Sequence, residues 1–158
     1  CELMYYSGCR ISEALSLTRA DIDASEAVVR IRCLKKRVKL VVRRIPLPPE
    51  FVSRLITFGE SSADRLWGFS RMTGWRVIKK ALKMAGIQGL HASPKGLRHG
   101  FGVRAALANV PISIIQRWMG HSSVSTTSIY LSVRDDEERD LMARTWSTYL
   151  ELSLRSST

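Results

Sequence analysis

Apolar positions along the chain recur first at helical spacing, then in alternation, then at helical spacing again to the end. Residues 2–6 are apolar and stopped by Ser7-Gly8. A second helix is predicted over residues 10–17, where Ile11, Ala14 and Leu15 fall on one face. That face buries the helix and fixes Arg10 in its first turn, with Glu13 three positions on. Residues 27–32 and 39–47, rich in Val, Ile and Arg, predict a β-hairpin. Its turn carries Lys35, Lys36 and Arg37. Residues 65–69 (RLWGF) are the candidate third strand of a small antiparallel sheet.

Pro48-Pro49 closes the hairpin, and residues 50–59 predict a short amphipathic helix with Phe51, Leu55 and Ile56 inward. Over residues 72–85 the stripe Trp75, Ile78, Leu82 and Ala85 predicts another, with Arg76, Lys79, Lys80 and Lys83 on a separate face. Ser93 and Pro94 supply an N-cap and a first-turn proline. The helix they open has Leu97, Phe101, Ala105 and Ala108 as its buried stripe, Arg98 at the margin and Lys95 one turn earlier. Pro111 starts a helix with Ile112, Ile115 and Met119 inward, and Gly120 ends it. His121 follows in the turn, and Ser122 or Ser123 caps a last short helix carrying Tyr130. Residues 134–146 are a charged amphipathic helix with Leu141, Met142 and Trp146. The expected fold is mainly α with a small antiparallel β-sheet, an α+β domain.

With 158 residues, 45% of them hydrophobic, the chain is long enough for one domain with its own core. The 25 Lys and Arg against 14 Asp and Glu leave a net charge of +11, a surplus that favours a polyanionic partner. The basic residues are spread over several elements and not gathered on one amphipathic helix, which argues against a membrane surface. No apolar run approaches the length of a membrane span, and the first residues lack the pattern of a signal peptide. A basic helix face is most often only solvated. In a chain this basic, Lys36, Arg37, Arg76, Lys79, Lys80 and Lys83 become candidates for contact with a DNA backbone. Cys1, Cys9 and Cys33 are an odd count without metal-ligand spacing, so we expect packing residues in a reducing compartment, with no metal and no cofactor.

Taken singly, each polar candidate has a bland reading. Arg10 pairs with Glu13, a charged hairpin tip is solvated, and His121 and Tyr130 are satisfied packing groups. Arg98 is harder to dismiss, because a partly desolvated guanidinium wants an anion or a fixed carboxylate for its planar fork.

Together the candidates form a known order. The pair Lys95-Gly96-Leu97-Arg98, the run Met119-Gly120-His121-Ser122-Ser123 and Tyr130, nine positions after His121, resemble the C-terminal half of a tyrosine recombinase, the phage integrase family. Residues 7–15 (SGCRISEAL) resemble that family's first arginine box, so the likeness runs from Cys1 to about residue 132. It implies a fold like the catalytic domains of tyrosine recombinases and type IB topoisomerases. It also implies a site-specific recombinase that cuts and rejoins DNA through a 3′-phosphotyrosine on Tyr130, without metal. Arg10 and Arg98 would hold the non-bridging phosphate oxygens, and His121 would add a hydrogen bond. A hairpin lysine, Lys35 or its neighbour Lys36, would protonate the leaving 5′ oxygen, and Glu13 would orient nearby side chains. Lys95 stands where the family most often has histidine and would support the phosphate or a nearby proton transfer. His99 is read as core or helix packing, and His91 has no assigned role.

The same resemblance implies double-stranded DNA as partner, a homotetramer assembled on it, and a cytoplasmic, DNA-associated protein. Residues 1–158 are then expected to be a catalytic-domain fragment that an N-terminal helical DNA-clamping domain precedes, because residues 1–8 read as the end of a helix already under way. The tail, residues 134–158, would pack on a neighbouring protomer or fold back on its own domain. Three rivals remain: a type IB topoisomerase-like enzyme, a non-enzymatic helix-turn-helix with residues 122–130 as recognition helix, and a catalytically silent relative that retains binding. The target site, and the choice among integration, excision and multimer resolution, are left open.

Overall fold

The computed structural model describes residues 1–33, 41–59 and 65–130. Helix α1 (Glu2–Ser7) ends on Gly8, whose φ of 62° is left-handed. A Cβ at Gly8 would come within 2.4 Å of the Phe101 ring, so the residue supplies both the turn and a close approach. Helix α2 (Ile11–Leu15) follows with Arg10 as its N-cap residue, one position outside the predicted first turn.

Strands β1 (Ile22–Asp23), β2 (Val28–Arg32) and β3 (Val42–Pro46) form a three-stranded antiparallel sheet in sequence order. The hairpin is where the alternation puts it, but the third strand is β1 and not residues 65–69. Those residues are tied to the end of α2 instead. The Leu66 amide donates to the Leu17 carbonyl at 2.9 Å, and the Trp67 indole N–H donates to the Ala14 carbonyl at 2.8 Å. A short apolar run serves there as a plug, which periodicity cannot distinguish from a strand.

Helix α3 (Pro49–Gly59) buries Phe51, Val52 and Leu55. In α4 (Arg71–Met84) the buried face is Gly74, Ile78 and Leu82, and Trp75 and Ala85 of the predicted stripe are exposed. The reason is Gly74: a Cβ there would lie 3.1 Å from Leu15, so α4 closes on α2 through its glycine and turns Trp75 outward. Helix α5 (Pro94–Leu107) starts as predicted, the Ser93 hydroxyl accepting from the Gly96 amide at 3.1 Å, and buries Phe101, Gly102, Ala105 and Ala106. Ala108 is its exposed C-cap residue. Helix α6 (Ile112–Met119) buries Ile115 and Met119 and ends on Gly120 at φ 64°. Helix α7 (Ser125–Ser128) has Val124 at its N-cap, and Tyr130 lies just past its end.

Two apolar clusters result. The larger gathers α1 to α4 and the sheet, and the smaller is built from Phe101, Ala105, Ala106, Ile115, Met119 and Tyr130, with Trp118 packed against both. Cys9 and Cys33 are buried and free, as packing residues would be, whereas Cys1 is exposed. No helix among the described residues is long and apolar enough to cross a membrane.

Candidate active site

Glu13 is the first group to be fixed. At 2% exposure its carboxylate accepts from the Arg10 amide (2.8 Å) and Arg10 Nη1 (3.0 Å), the reach-back half of a capping box, and from Arg43 Nη2 (2.6 Å). The Arg10–Glu13 pair is therefore present, but it is anchored on a buried carboxylate and not on a solvated surface. Arg10 keeps a partly exposed side chain.

Arg43 was not singled out by the sequence, and it is the most buried of the cations among the described residues. It faces Ile31 across the hairpin, on the same side of β3 as Ile45. Its Nη1 donates to the Trp118 carbonyl at 2.6 Å, and a Cβ at Gly120 would meet its guanidinium at 3.0 Å. Its Nε is a buried nitrogen without a partner among the described residues. The signal was available, since Arg43 shares the parity of Ile45 and Leu47 along the strand.

Arg98 reaches the next carbonyl of the same helix. Its Nη2 donates to Met119 O at 2.7 Å, and its Nη1 to Gly8 O at 2.6 Å. Helix ends leave carbonyls without intrahelical partners, and Arg43 and Arg98 take the last two of α6 while Arg98 also takes the end of α1. The side chain thus finds carbonyl dipoles where a carboxylate was one expectation. Two carbonyls engage only part of a five-donor guanidinium. Burial, reinforced by Arg10, pushes Arg98 down to about 10, so it remains cationic at neutral pH.

His121 sits one residue beyond Gly120, its amide donating to Gln116 O at 3.2 Å. Nδ1 lies 2.9 Å from the Thr127 hydroxyl oxygen. Burial and the positive charges of Arg98, Arg10 and Arg43 push the imidazole down to about 4, so at neutral pH it is uncharged. Tyr130 is 3% exposed. Its ring lies on Gly102, where a Cβ would come within 2.3 Å of Cζ, and 5.4 Å from the His99 ring. Burial raises its phenol, and Arg98 opposes that shift. His99 itself is exposed and is therefore not a core residue; what it packs against is the rings of Tyr130 and His91.

The remaining candidates separate. Lys95 is exposed on α5 and has no hydrogen-bond partner among the described residues. Lys79 is engaged: its ammonium donates to Ala92 O at 2.8 Å and lies 5.8 Å from the Trp75 ring centre. Arg76, Lys80 and Lys83 are exposed along α4. Lys35, Lys36, Arg37 and the tail, residues 134–158, lie outside the described residues. Two guanidinium groups thus bond one buried carboxylate, with Arg98 in electrostatic reach of both, beside a neutral imidazole and a tyrosine, a concentration of positive charge suited to a phosphate.

Residues 1–137 match the model of the phage integrase family, and the chain belongs to that family, the tyrosine recombinases. It is 34% identical over 143 residues to a tyrosine recombinase of Pseudothermotoga lettingae, an alignment covering 87% of this chain and 50% of that protein. Its fold matches the crystal structure of XerA recombinase with a TM-score of 0.73 at 28% identity, over 90% of this chain and 55% of that one. A second solved structure, the Tn1549 transposon integrase in complex with a circular intermediate DNA, matches in fold with a TM-score of 0.64 at 21% identity, over 87% and 56%. The chain therefore spans about half the length of the relatives it matches.

Proposed function

We propose that the chain is the catalytic part of a site-specific DNA recombinase that cleaves and rejoins duplex DNA by transesterification on Tyr130. The observation that carries this reading is the pairing of Arg10 and Arg43 with Glu13, with Arg98 in electrostatic reach of Arg10, Arg43 and Tyr130, beside neutral His121. The family membership and the DNA-bound state of the Tn1549 integrase support it.

In the first step the Tyr130 hydroxyl loses its proton to solvent as its oxygen attacks phosphorus, the phosphorus–O5′ bond breaks, and the new bond is a 3′-phosphotyrosine. A free tyrosine hydroxyl has a pKa near ~10, so the attack needs nearby positive charge. Arg10 and Arg98 hold the non-bridging oxygens and stabilise charge that grows in the transition state, and His121 donates a hydrogen bond to the same oxygens. Lys35, or Lys36 beside it, gives its proton to the departing 5′ oxygen, and Lys95 supports the phosphate from the exposed side of α5. Glu13 holds Arg10 in place. The phosphotyrosine ester conserves the energy of the broken phosphodiester, so a 5′ hydroxyl from a second strand attacks it, expels Tyr130 and reverses the step without a cofactor or a metal. Tyr130 must leave the Gly102 surface to attack, and DNA binding supplies the occasion.

Duplex DNA, a homotetramer on paired sites, and a tail at residues 134–158 that docks on a neighbouring protomer complete the proposal. The test uses duplexes selected for binding from a random pool and nicked beside the cleavage position, incubated in EDTA with wild type and with Tyr130→Phe. A denaturation-resistant adduct that only wild type forms, mapped by peptide sequencing to Tyr130, is the expected result. DNA binding with a steep salt dependence but no adduct from either protein would return the chain to a binding-only role. Relaxation of supercoils by monomers, without exchange between paired sites, would reassign it as type IB topoisomerase-like.

A further inference from the structure

The contact of His121 with Thr127 fixes more than a position. Thr127 is 0% exposed, and among the described residues its hydroxyl has one hydrogen-bond partner, His121 Nδ1, at 2.9 Å. A hydroxyl has one proton to give and lone pairs that accept, whereas a neutral imidazole has one ring nitrogen of each kind. Two arrangements are open. If Nδ1 carried the proton it would donate to the threonine oxygen, and the hydroxyl proton would be sealed in the interior with nothing to accept it. If the hydroxyl donates to Nδ1, both groups are satisfied and the ring proton resides on Nε2. Buried donors are rarely left unmade, so the second arrangement prevails.

We propose that Thr127 is a positioning residue that sets the tautomer of His121, keeping Nδ1 an acceptor and Nε2–H a fixed donor. The use of that donor toward a phosphate oxygen rests on the function proposed above; the tautomer does not. Protonation of the ring would also destroy the arrangement, because an imidazolium presents N–H at both nitrogens and Thr127 could then only accept. Arg98, Arg10 and Arg43, the charged groups that face the ring, oppose that protonation. Thr127 is placed for the task by its own short helix. Its amide donates to Val124 O at 2.7 Å, and its carbonyl accepts from the Tyr130 amide at 3.0 Å, so one residue contacts both the histidine and the tyrosine segment.

The test is nitrogen-15 NMR of the full chain labelled at histidine, with the His121 signals assigned through His121→Gln. At neutral pH the expected spectrum has a protonated Nε2 and an unprotonated, hydrogen-bonded Nδ1. Thr127→Val should shift His121 to a mixture of tautomers, and Thr127→Ser should restore the wild-type signature. In single-turnover cleavage, Thr127→Val should be slower by roughly tenfold with unchanged DNA affinity, less than the 10²–10³ typical when a whole transition-state donor is lost. Thr127→Ser should recover most of the rate. A proton on Nδ1 in the wild type, or an unchanged tautomer in Thr127→Val, would overturn the proposal. Because the spectra need no DNA, a chain that forms no adduct leaves the tautomer assignment standing while refuting the recombinase reading.

Discussion

Glu13 and Arg43 stand on elements of the larger apolar cluster and Tyr130 belongs to the smaller, and all three are nearly fully covered, at 2%, 4% and 3% exposure. They are held by different means. The carboxylate and guanidinium are fixed by hydrogen bonds to Arg10, to each other and to Trp118 O, at 2.6 to 3.0 Å. The tyrosine is held by ring packing on Gly102 and by one hydrogen bond, which its backbone N–H donates to Thr127 O. A charge-assisted network in a low-dielectric interior is costly to break and therefore keeps its geometry. Apolar contact is non-directional and can be exchanged for another surface. The half of the site built from charges is the rigid one, and under the proposed function the half built from packing is the one that moves.

The largest expected effect breaks the rigid half. Glu13→Ala leaves Arg43 buried without its carboxylate and should cost about 3–5 kcal/mol of stability, read from urea unfolding. A loss under about 1 kcal/mol would mean that the network is solvated and that the contrast fails. The next disturbs the mobile half. Gly102→Ala drives a methyl into the Tyr130 ring and should cost about 1–3 kcal/mol, a typical overpacking penalty. It should also displace the phenol outward, so that its raised pKa falls toward the ordinary value and Tyr130 nitrates faster than in wild type.

A pH series sharpens the comparison further. His121 is pushed down to about 4 from an ordinary 6.5, so between those values the unfolded chain binds more protons than the folded one. The contribution of His121 should be constant above pH 6.5 and stability should fall as pH drops toward 4, and His121→Gln should lose less over that window. Identical profiles for the two proteins would show that the ring titrates normally. The smallest effects lie on α4. Lys80→Ala and Lys83→Ala should each reduce the salt slope of DNA binding by about 1 without changing stability. Lys79→Ala should instead lower stability by up to about 1 kcal/mol, because its ammonium bonds Ala92 O.

Much of this could be read from the chain. Helix starts with explicit chemistry, such as Ser93-Pro94, and glycine stops such as Gly8 and Gly120 were legible because each is a local backbone requirement. Arg10, Arg98 and His121 stood out by order and spacing, and they meet in the structure. Arg43 did not stand out, because in a hairpin crowded with basic residues charge reads as surface. Only the parity it shares with Ile45 marks it as inward. Trp75 and residues 65–69 misled for the opposite reason: apolar side chains read as core, yet their placement depends on what Gly74 and the end of α2 allow. The shelter of Tyr130 on Gly102 was illegible, since it depends on a contact between α5 and a turn that no local pattern encodes.

The bonds of Arg43 and Arg98 also carry a consequence in time. Arg43 reaches 30 positions back to Glu13 and 75 forward to Trp118, and Arg98 reaches 90 back to Gly8. Contacts of such separation form only after long loops have closed, and they are late and slow compared with helix formation. A chain still emerging from the ribosome, or one frayed at α6, has the arginines but not the cage. The cationic cage is therefore a property of the finished fold and of no part of it.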